Sequence, residues 1–170
     1  MSTLVDKVQP ARLETDAARL HEALSELVRV YQFRDRDRIC CHDISVTQCY
    51  ALEALLRRGP SGLNELAAEL YLDKSTASRV VATLERKRYV SRATHPDDGR
   101  AIVLTVTPAG RRLHDRIRKD LIAEAKHLLE DFEPEVREGA ARLILRLARS
   151  AAIRSGVEPG TGCCPPSGCE

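Results

Sequence analysis

The sequence predicts a mostly α-helical fold with one small β-hairpin, because three signals follow one another near its middle. Apolar residues at helical spacing across residues 63–70 predict a short helix, and Asp73 is a suitable N-cap for a second helix from about Lys74. Two stretches rich in β-branched residues, 89–94 and 101–107, then flank a turn that contains Pro, Asp and Gly. Two short helices followed directly by a hairpin predict a winged helix-turn-helix.

Two further helices are predicted before this motif. Apolar side chains recur at three- to four-residue spacing over residues 13–33. The alternating charges of residues 34–38 are expected to interrupt that helix and to be solvated. Ser45 and Gln48 form a capping box, which predicts a helix that begins there and stops at Gly59.

Two long amphipathic helices are predicted after the hairpin. One begins at Pro108 and extends to about Glu130, and the other begins near Pro134. Each carries an apolar stripe with charged residues on its remaining face, and a winged helix is too small to cover all of this apolar surface. The last segment, residues 156–170, is rich in Gly and Pro and is expected to be a flexible tail.

The second helix of the motif is expected to bind double-stranded DNA. Between Lys74 and Arg92 the sequence has six Lys and Arg residues against one acid, Glu85. A helix that combines this positive charge with small polar residues suits entry into a DNA groove and neutralisation of phosphates. A solvated basic helix face is the alternative. The candidate DNA-binding residues of this segment are Lys74, Ser75, Thr76, Ser78, Arg79, Arg86 and Arg92.

The motif resembles the MarR-type winged-helix repressors. This resemblance implies that Ser75, Ser78 and Arg79 lie in the major groove of DNA. It also implies that Arg100, braced by Asp98, enters the minor groove from the tip of the wing. The chain departs from the family at Arg88, where a glycine usually closes the recognition helix, and at Gly99, where Arg is often found. The resemblance runs from about residue 20 to residue 154 and is carried by Leu66-Ala67, Ser75-Thr76-Ala77-Ser78-Arg79, Arg92, Asp98-x-Arg100 and Leu104-Thr-Val-Thr107-Pro-Ala-Gly110.

The resemblance also implies a two-fold homodimer in which the first and last helices of two subunits intertwine. Packing of these helices within one subunit is the alternative. The implied organisation is an N-terminal dimerisation helix (1–38), a winged DNA-binding region (39–110), C-terminal dimerisation helices (111–155) and the tail (156–170). Two such subunits would bind a pseudo-palindromic operator whose half-sites lie about 34 Å apart.

The six cysteines form two groups of the same design, in which an adjacent pair is followed by a third. A cytoplasmic chain rarely uses structural disulfides, so metal binding or redox chemistry is the expected use of these thiols. Three thiolates suit a soft ion with three ligands, and As(III) or Sb(III) is favoured. The spacing is similar to that of arsenite sites in ArsR-type repressors, a similarity of ligand pattern only. The two groups are Cys40, Cys41 and Cys49, and Cys163, Cys164 and Cys169.

Other uses of the thiols remain open. Zinc or cadmium would need a fourth ligand, for which His42 and Asp43 stand beside the first pair. An Fe–S cluster would draw thiolates from both groups. A peroxide or electrophile sensor would use Cys40 or Cys41 with a resolving partner. Cys49 alone also fits a small buried hydrophobe, and the tail thiols fit an unstructured end.

The expected function is a cytoplasmic repressor that a soft metal(loid) releases from DNA, with a thiol-based redox sensor as the alternative. No apolar run reaches membrane-spanning length and no signal-peptide core is visible. The net charge of +2 is too small to indicate a partner. An enzyme or a metal-buffering protein is the second class, but no catalytic triad, phosphate-binding loop or paired-carboxylate motif supports catalysis.

Overall fold

The computed structural model describes residues 10–94 and 102–154, and these residues form six helices and one two-stranded antiparallel sheet. The chain divides into two compact units, of which the first ends at Arg38 and the second begins at Ile39. Within the described ranges, no helix is long and apolar enough to cross a membrane. The elements are α1 (Pro10–Cys40), α2 (Val46–Arg58), α3 (Leu63–Glu69), α4 (Lys74–Arg86), β1 (Val90–Thr94), β2 (Ile102–Val106), α5 (Pro108–Leu129) and α6 (Pro134–Arg154).

The helix of the first unit, α1, is longer than the sequence predicts. The expected interruption at residues 34–38 is wrong, because α1 continues through this charged run to Cys40. The run contains neither Gly nor Pro, and its charges are compensated locally. Arg34 forms an ion pair with Asp35 at 2.7 Å, and its guanidinium carbon lies 3.9 Å from the centre of the Tyr31 ring. Arg34 and Asp35 are accordingly half-buried rather than solvated.

The core of the second unit fixes α4 against its neighbours. The apolar spacing of α4 places Ala77, Val81 and Leu84 in this core, while Val80 is half-buried. Burial of each large apolar side chain contributes roughly 1.5–3 kcal/mol, so the opposite face of α4 is free to be polar. The largest fully buried side chains are Ile39, Leu52, Leu66, Val81, Leu84, Val90, Leu104, Leu113 and Ile117.

The predicted hairpin is confirmed, with Val90 opposite Val106 and Thr94 opposite Ile102. A third backbone segment, at Ser61, pairs with β2. The amide of Ser61 donates to the carbonyl of Leu104 at 3.2 Å, and the amide of Leu104 donates to the carbonyl of Ser61 at 2.9 Å. A bridge of one residue has no periodic signature, so the sequence did not indicate it.

Both predicted helix caps are present. The Ser45 hydroxyl accepts from the Gln48 amide at 3.2 Å, and the Gln48 side chain accepts from the Ser45 amide at 3.2 Å. The Asp73 carboxylate accepts from the Thr76 amide at 2.8 Å at the start of α4. These caps hold the first turns of α2 and α4, the two helices that carry Cys49 and the polar face.

The end of α4 closes in a left-handed conformation without glycine. Arg88 has a φ of 62°. Its amide donates to the carbonyl of Glu85 at 2.8 Å, and the amide of Tyr89 donates to the carbonyl of Leu84 at 2.9 Å. These two bonds form a Schellman motif, in which a non-glycine residue costs about 1–2 kcal/mol. The family's glycine is therefore absent, but the closure that it normally provides is kept.

A close backbone contact connects the end of α4 to the start of α5. The Thr107 hydroxyl accepts from the Gly110 amide at 3.1 Å and donates to the carbonyl of Arg88 at 2.7 Å. The Thr107 amide donates to the carbonyl of Tyr89 at 3.0 Å. Gly110 then lies directly against the Tyr89 backbone, which leaves no room for a side chain.

The long helices leave much apolar surface exposed within one chain. Leu113 and Ile117 of α5 reach the core, whereas α6 has no buried residue. This surface matches the apolar stripes that the sequence predicts. Exposed large apolar residues include Leu13, Leu20, Leu24, Leu27, Val28 and Phe33 on α1, and Val136, Leu143, Ile144, Leu145 and Ile153 on α6.

Candidate nucleic-acid interface and cysteine sites

The outer face of α4 carries the polar and cationic residues that the sequence singles out. Lys74, Ser75, Arg79 and Arg86 are exposed, and Ser78 is half-buried beside them. Because the inner face is fixed by the core, these side chains are held on a rigid surface. A rigid, cationic helix face of this size suits insertion into the major groove.

The first turn of α4 holds a hydrogen-bonded relay that sequence reasoning missed. Asp73 accepts from the Ser75 hydroxyl at 2.5 Å and from the Thr76 hydroxyl at 2.7 Å. The Thr76 hydroxyl in turn accepts from an Arg79 nitrogen at 3.1 Å. Hydrogen bonds from Ser75, and then from Thr76, lower the pKa of the Asp73 carboxyl well below its usual range. The spacing of an Asp followed by Ser and Thr two and three positions later was the available signal.

Two cationic side chains connect the C-terminal end of α4 to other parts of the second unit. The Arg92 side chain, half-buried on β1, forms an ion pair with Glu85, with Nε and Oε2 2.9 Å apart. The Lys87 ammonium donates to the backbone carbonyl of Asp43 and lies 3.1 Å from its carboxylate. Asp43 has a φ of 62° in the turn that follows α1. Two of the predicted basic residues thus have structural partners, and the contact of Arg92 with DNA stays a prediction.

The wing is described up to Thr94 and again from Ile102. The predicted minor-groove residue Arg100 and its brace Asp98 lie outside the described residues, so their roles stay predictions.

The first cysteine group lies at the junction of α1 and α2. Cys40 is the last residue of α1, and its side chain lies outside the described part of the structure. Cys41 is exposed in the following turn, and Cys49 is buried on α2. The tail group of Cys163, Cys164 and Cys169 lies outside the described residues.

Both residues considered as a fourth metal ligand have other partners. His42 forms an ion pair with Asp120, with Nε2 and Oδ2 3.5 Å apart, and Asp43 is bound to Lys87. Among the described side chains, which do not include Cys40, no group of three or more His, Cys, Asp and Glu residues is placed to hold a metal ion.

Cys49 also lines a cavity of about 180 Å³ between α2 and α5. His114 forms part of the wall and is buried, and its Nδ1 atom has no hydrogen-bond partner among the described residues. Glu53 and Arg118 supply charged groups at the same cavity. The buried thiol therefore has space beside it rather than being sealed on all sides.

Comparison with known proteins finds the same fold and a family. A model of the MarR family matches residues 42–101. An uncharacterised HTH-type transcriptional regulator of Mycobacterium bovis is 31% identical over 140 residues, which cover 81% of this chain and 93% of that protein. One from Bacillus subtilis is 26% identical over 127 residues, covering 75% and 89%. The structure of a MarR family protein from Bacillus stearothermophilus superposes with a TM-score of 0.75 at 23% identity, covering 82% of this chain and 97% of that one.

Proposed function

This chain belongs to the MarR family of winged helix-turn-helix transcriptional regulators, and from that premise we propose that it is a homodimeric, cytoplasmic repressor. It would bind a pseudo-palindromic operator, and a ligand of its cysteines would release it from that DNA. The regulators that it resembles are not enzymes, and neither is this chain.

The observation that carries the proposal of DNA binding is the exposed face of α4. Lys74, Arg79 and Arg86 are exposed on a helix whose other face is fixed in the core. Cations placed this way release counterions when they neutralise phosphates, and an Arg can bind guanine through two hydrogen bonds. No acidic residue interrupts α4 before Glu85, which is paired with Arg92.

The apolar surface of α1 and α6 supports a homodimer. Exposed apolar patches this extensive on a single chain typically mark a protein–protein interface. A second copy of the chain is the partner that a two-fold arrangement provides, and it would present two α4 helices to half-sites about 34 Å apart.

DNA binding is tested by replacing Arg79 and Arg100 with alanine. The probe is a duplex that the wild-type protein enriches from a random library, and binding is measured by fluorescence anisotropy over a range of salt concentrations. We expect each variant to bind more weakly, and the loss of a phosphate contact to reduce the salt slope by roughly one unit.

The exposed Arg116 provides the matched control, since its replacement by alanine removes the same charge from α5 rather than from α4 or the wing. Wild-type affinity in both Arg79→Ala and Arg100→Ala would reject the assigned interface. An equal loss in Arg116→Ala would show that only net charge matters.

For the effector, we propose that Cys40, Cys41 and Cys49 bind a soft metalloid such as As(III) or Sb(III), and that the tail thiols are accessory. Cys41 lies in the turn between α1 and α2, and Cys49 lies on α2 beside a cavity. Asp43 of the same turn is bonded to Lys87 at the end of α4. Drawing the sulfurs together would move this turn and, through Asp43, the recognition helix. A ligand that favours the displaced state releases DNA by linkage.

This proposal is tested on reduced protein bound to its enriched duplex, which is titrated with arsenite, antimonite, zinc, cadmium and peroxide. Cys49→Ser is expected to bind DNA normally but to lose release by arsenite and antimonite. Truncation after Gly156 is expected to keep release, at a higher ligand concentration. If the truncated protein failed to respond while Cys49→Ser responded fully, the sensor would lie in the tail.

Redox sensing is the second candidate, because an exposed Cys41 is accessible to oxidants. Release of DNA by peroxide but by none of the metal ions would select that function in place of the first.

A further inference from the structure

We propose that Asp73 makes Ser75 an acceptor-only reader of a base amino group in the major groove, and that it positions Arg79 through Thr76. The inference rests on the proposed binding of DNA and adds to it the chemistry by which α4 selects bases. The amino groups concerned are N4 of cytosine and N6 of adenine.

The polarity of Ser75 follows from its contact with Asp73. A hydroxyl has one proton to donate and two lone pairs to accept with, whereas an ionised carboxylate only accepts. The Ser75 oxygen lies 2.5 Å from Oδ1 of Asp73, so the serine proton occupies this bond. The low pKa of Asp73 keeps the carboxylate ionised at neutral pH. Ser75 is exposed, and it therefore presents only lone pairs to an approaching ligand.

This polarity excludes some contacts with DNA and favours others. Phosphate oxygens, guanine O6 and N7, and thymine O4 are all acceptors, so the oriented hydroxyl has no proton for them. Cytosine N4 and adenine N6 are the hydrogen-bond donors of the major groove. Ser75 would thus accept from one of these amino groups and would not serve as a phosphate contact.

Thr76 has a different part in the relay. Its hydroxyl donates to Oδ2 of Asp73 at 2.7 Å and accepts from Arg79 at 3.1 Å. Both contacts are within the protein, so Thr76 is a positioning residue for the Arg79 guanidinium rather than a DNA contact. Arg79 keeps its remaining N–H groups, which are arranged to bind guanine O6 and N7 together.

The relay places the two readers on one face. Ser75 and Arg79 are four residues apart, and such residues are neighbours on a helix. Their separation of roughly 6 Å along the axis spans about two base-pair steps. We therefore expect each half-site to contain a guanine near a cytosine or adenine whose amino group meets Ser75.

The test compares the base preferences of full-length variants, selected from a random duplex library. Ser75→Ala removes the acceptor. Asp73→Ser keeps a good N-cap residue at the start of α4 but removes the carboxylate that holds the Ser75 proton. We expect Ser75→Ala to lose the preference for cytosine or adenine at one position of each half-site. Asp73→Ser is expected to accept guanine and thymine as well at that position. It should also weaken the preference for guanine at the neighbouring position.

A second measurement removes the amino group from the DNA. Replacing the selected adenine by purine, or the cytosine by 2-pyrimidinone, should weaken wild-type binding roughly fivefold, which corresponds to one hydrogen bond. The same replacement should leave the affinity of Ser75→Ala unchanged. Thermal unfolding of each variant confirms that it is folded.

The outcomes separate this inference from the proposed function. If the wild-type protein enriches no duplex, sequence-specific DNA binding itself fails. If it enriches one, but Ser75→Ala and Asp73→Ser keep the wild-type base preferences, only the reader role of Ser75 is overturned. A uniform loss of affinity for all duplexes in Ser75→Ala would equally overturn it, because that is the signature of a phosphate contact.

Discussion

Gly110 provides the sharpest test of how the wing and α5 are joined. A Cβ atom at this position would lie 2.2 Å from the carbonyl oxygen of Tyr89 and 2.9 Å from Cγ1 of Val106, whereas ordinary contacts begin at 3.4 Å. The obstructing atom belongs to the backbone, so it cannot rotate away. Gly110→Ala therefore requires the backbone near Tyr89 or the first turn of α5 to move by about 1 Å.

The expected cost follows from what that movement disturbs. Overpacking of a tight site costs about 1–3 kcal/mol, and the Tyr89 carbonyl also accepts from the Thr107 amide, a bond whose loss adds about 1 kcal/mol. Alanine in place of glycine in a helix recovers up to about 1 kcal/mol. The net destabilisation is then roughly 1–4 kcal/mol, which lowers the midpoint of thermal unfolding by about 2–16 °C for a chain of this length.

Gly139→Ala is the matched control. Gly139 lies inside α6, and a Cβ atom there would meet no atom of the described residues of the same chain within 4 Å. The same substitution should therefore stabilise the protein by about 0.5–1 kcal/mol. Urea unfolding followed by circular dichroism, at one fixed protein concentration, measures both variants. Equal stabilisation by the two substitutions would refute the steric reasoning at Gly110.

Two further predictions concern the end of α4 and the assembly. Arg88→Gly should relieve the backbone strain of the left-handed residue and stabilise the protein by up to about 1 kcal/mol. Arg88→Val introduces a β-branched side chain there and should destabilise the protein. Equal stability of the two variants in urea unfolding would contradict the strain inferred at Arg88. Removal of residues 1–33 should yield a monomer or an insoluble chain, as measured by sedimentation, because the proposed dimer interface would lose the apolar surface of α1. A soluble monomer that still binds DNA would show that the apolar stripes close within one subunit.

The sequence predicted the winged helix-turn-helix well because its signals are local. The caps at Ser45 and Asp73 depend on residues three positions apart, and both form as expected. Local spacing also accounts for the buried side of α4, where Ala77, Val81 and Leu84 recur at helical spacing and all are buried. The hairpin was predicted from two β-branched stretches on either side of a turn with Pro, Asp and Gly, and its strands pair in register.

The sequence prediction was wrong where an alternating charge pattern was interpreted as an interruption of the first helix. The run from Arg34 to Arg38 is helical, because neighbouring Arg and Asp side chains neutralise one another without leaving the helix. The departure at Arg88 was visible in the sequence, but its consequence was not. Two backbone bonds from Arg88 and Tyr89 maintain the left-handed closure in the absence of glycine.

By itself the sequence determined the order of the helices and strands, the family, and the cationic face of α4, because each depends on residue type and short spacing. Only the tertiary structure decided which atoms from distant parts of the chain meet. It bonds Lys87 to Asp43 across more than forty residues of chain, and it presses Gly110 against the Tyr89 carbonyl. Hydrogen bonds and steric contacts of this kind act over a few ångströms in space, and periodicity in a sequence carries no record of which distant residues come that close.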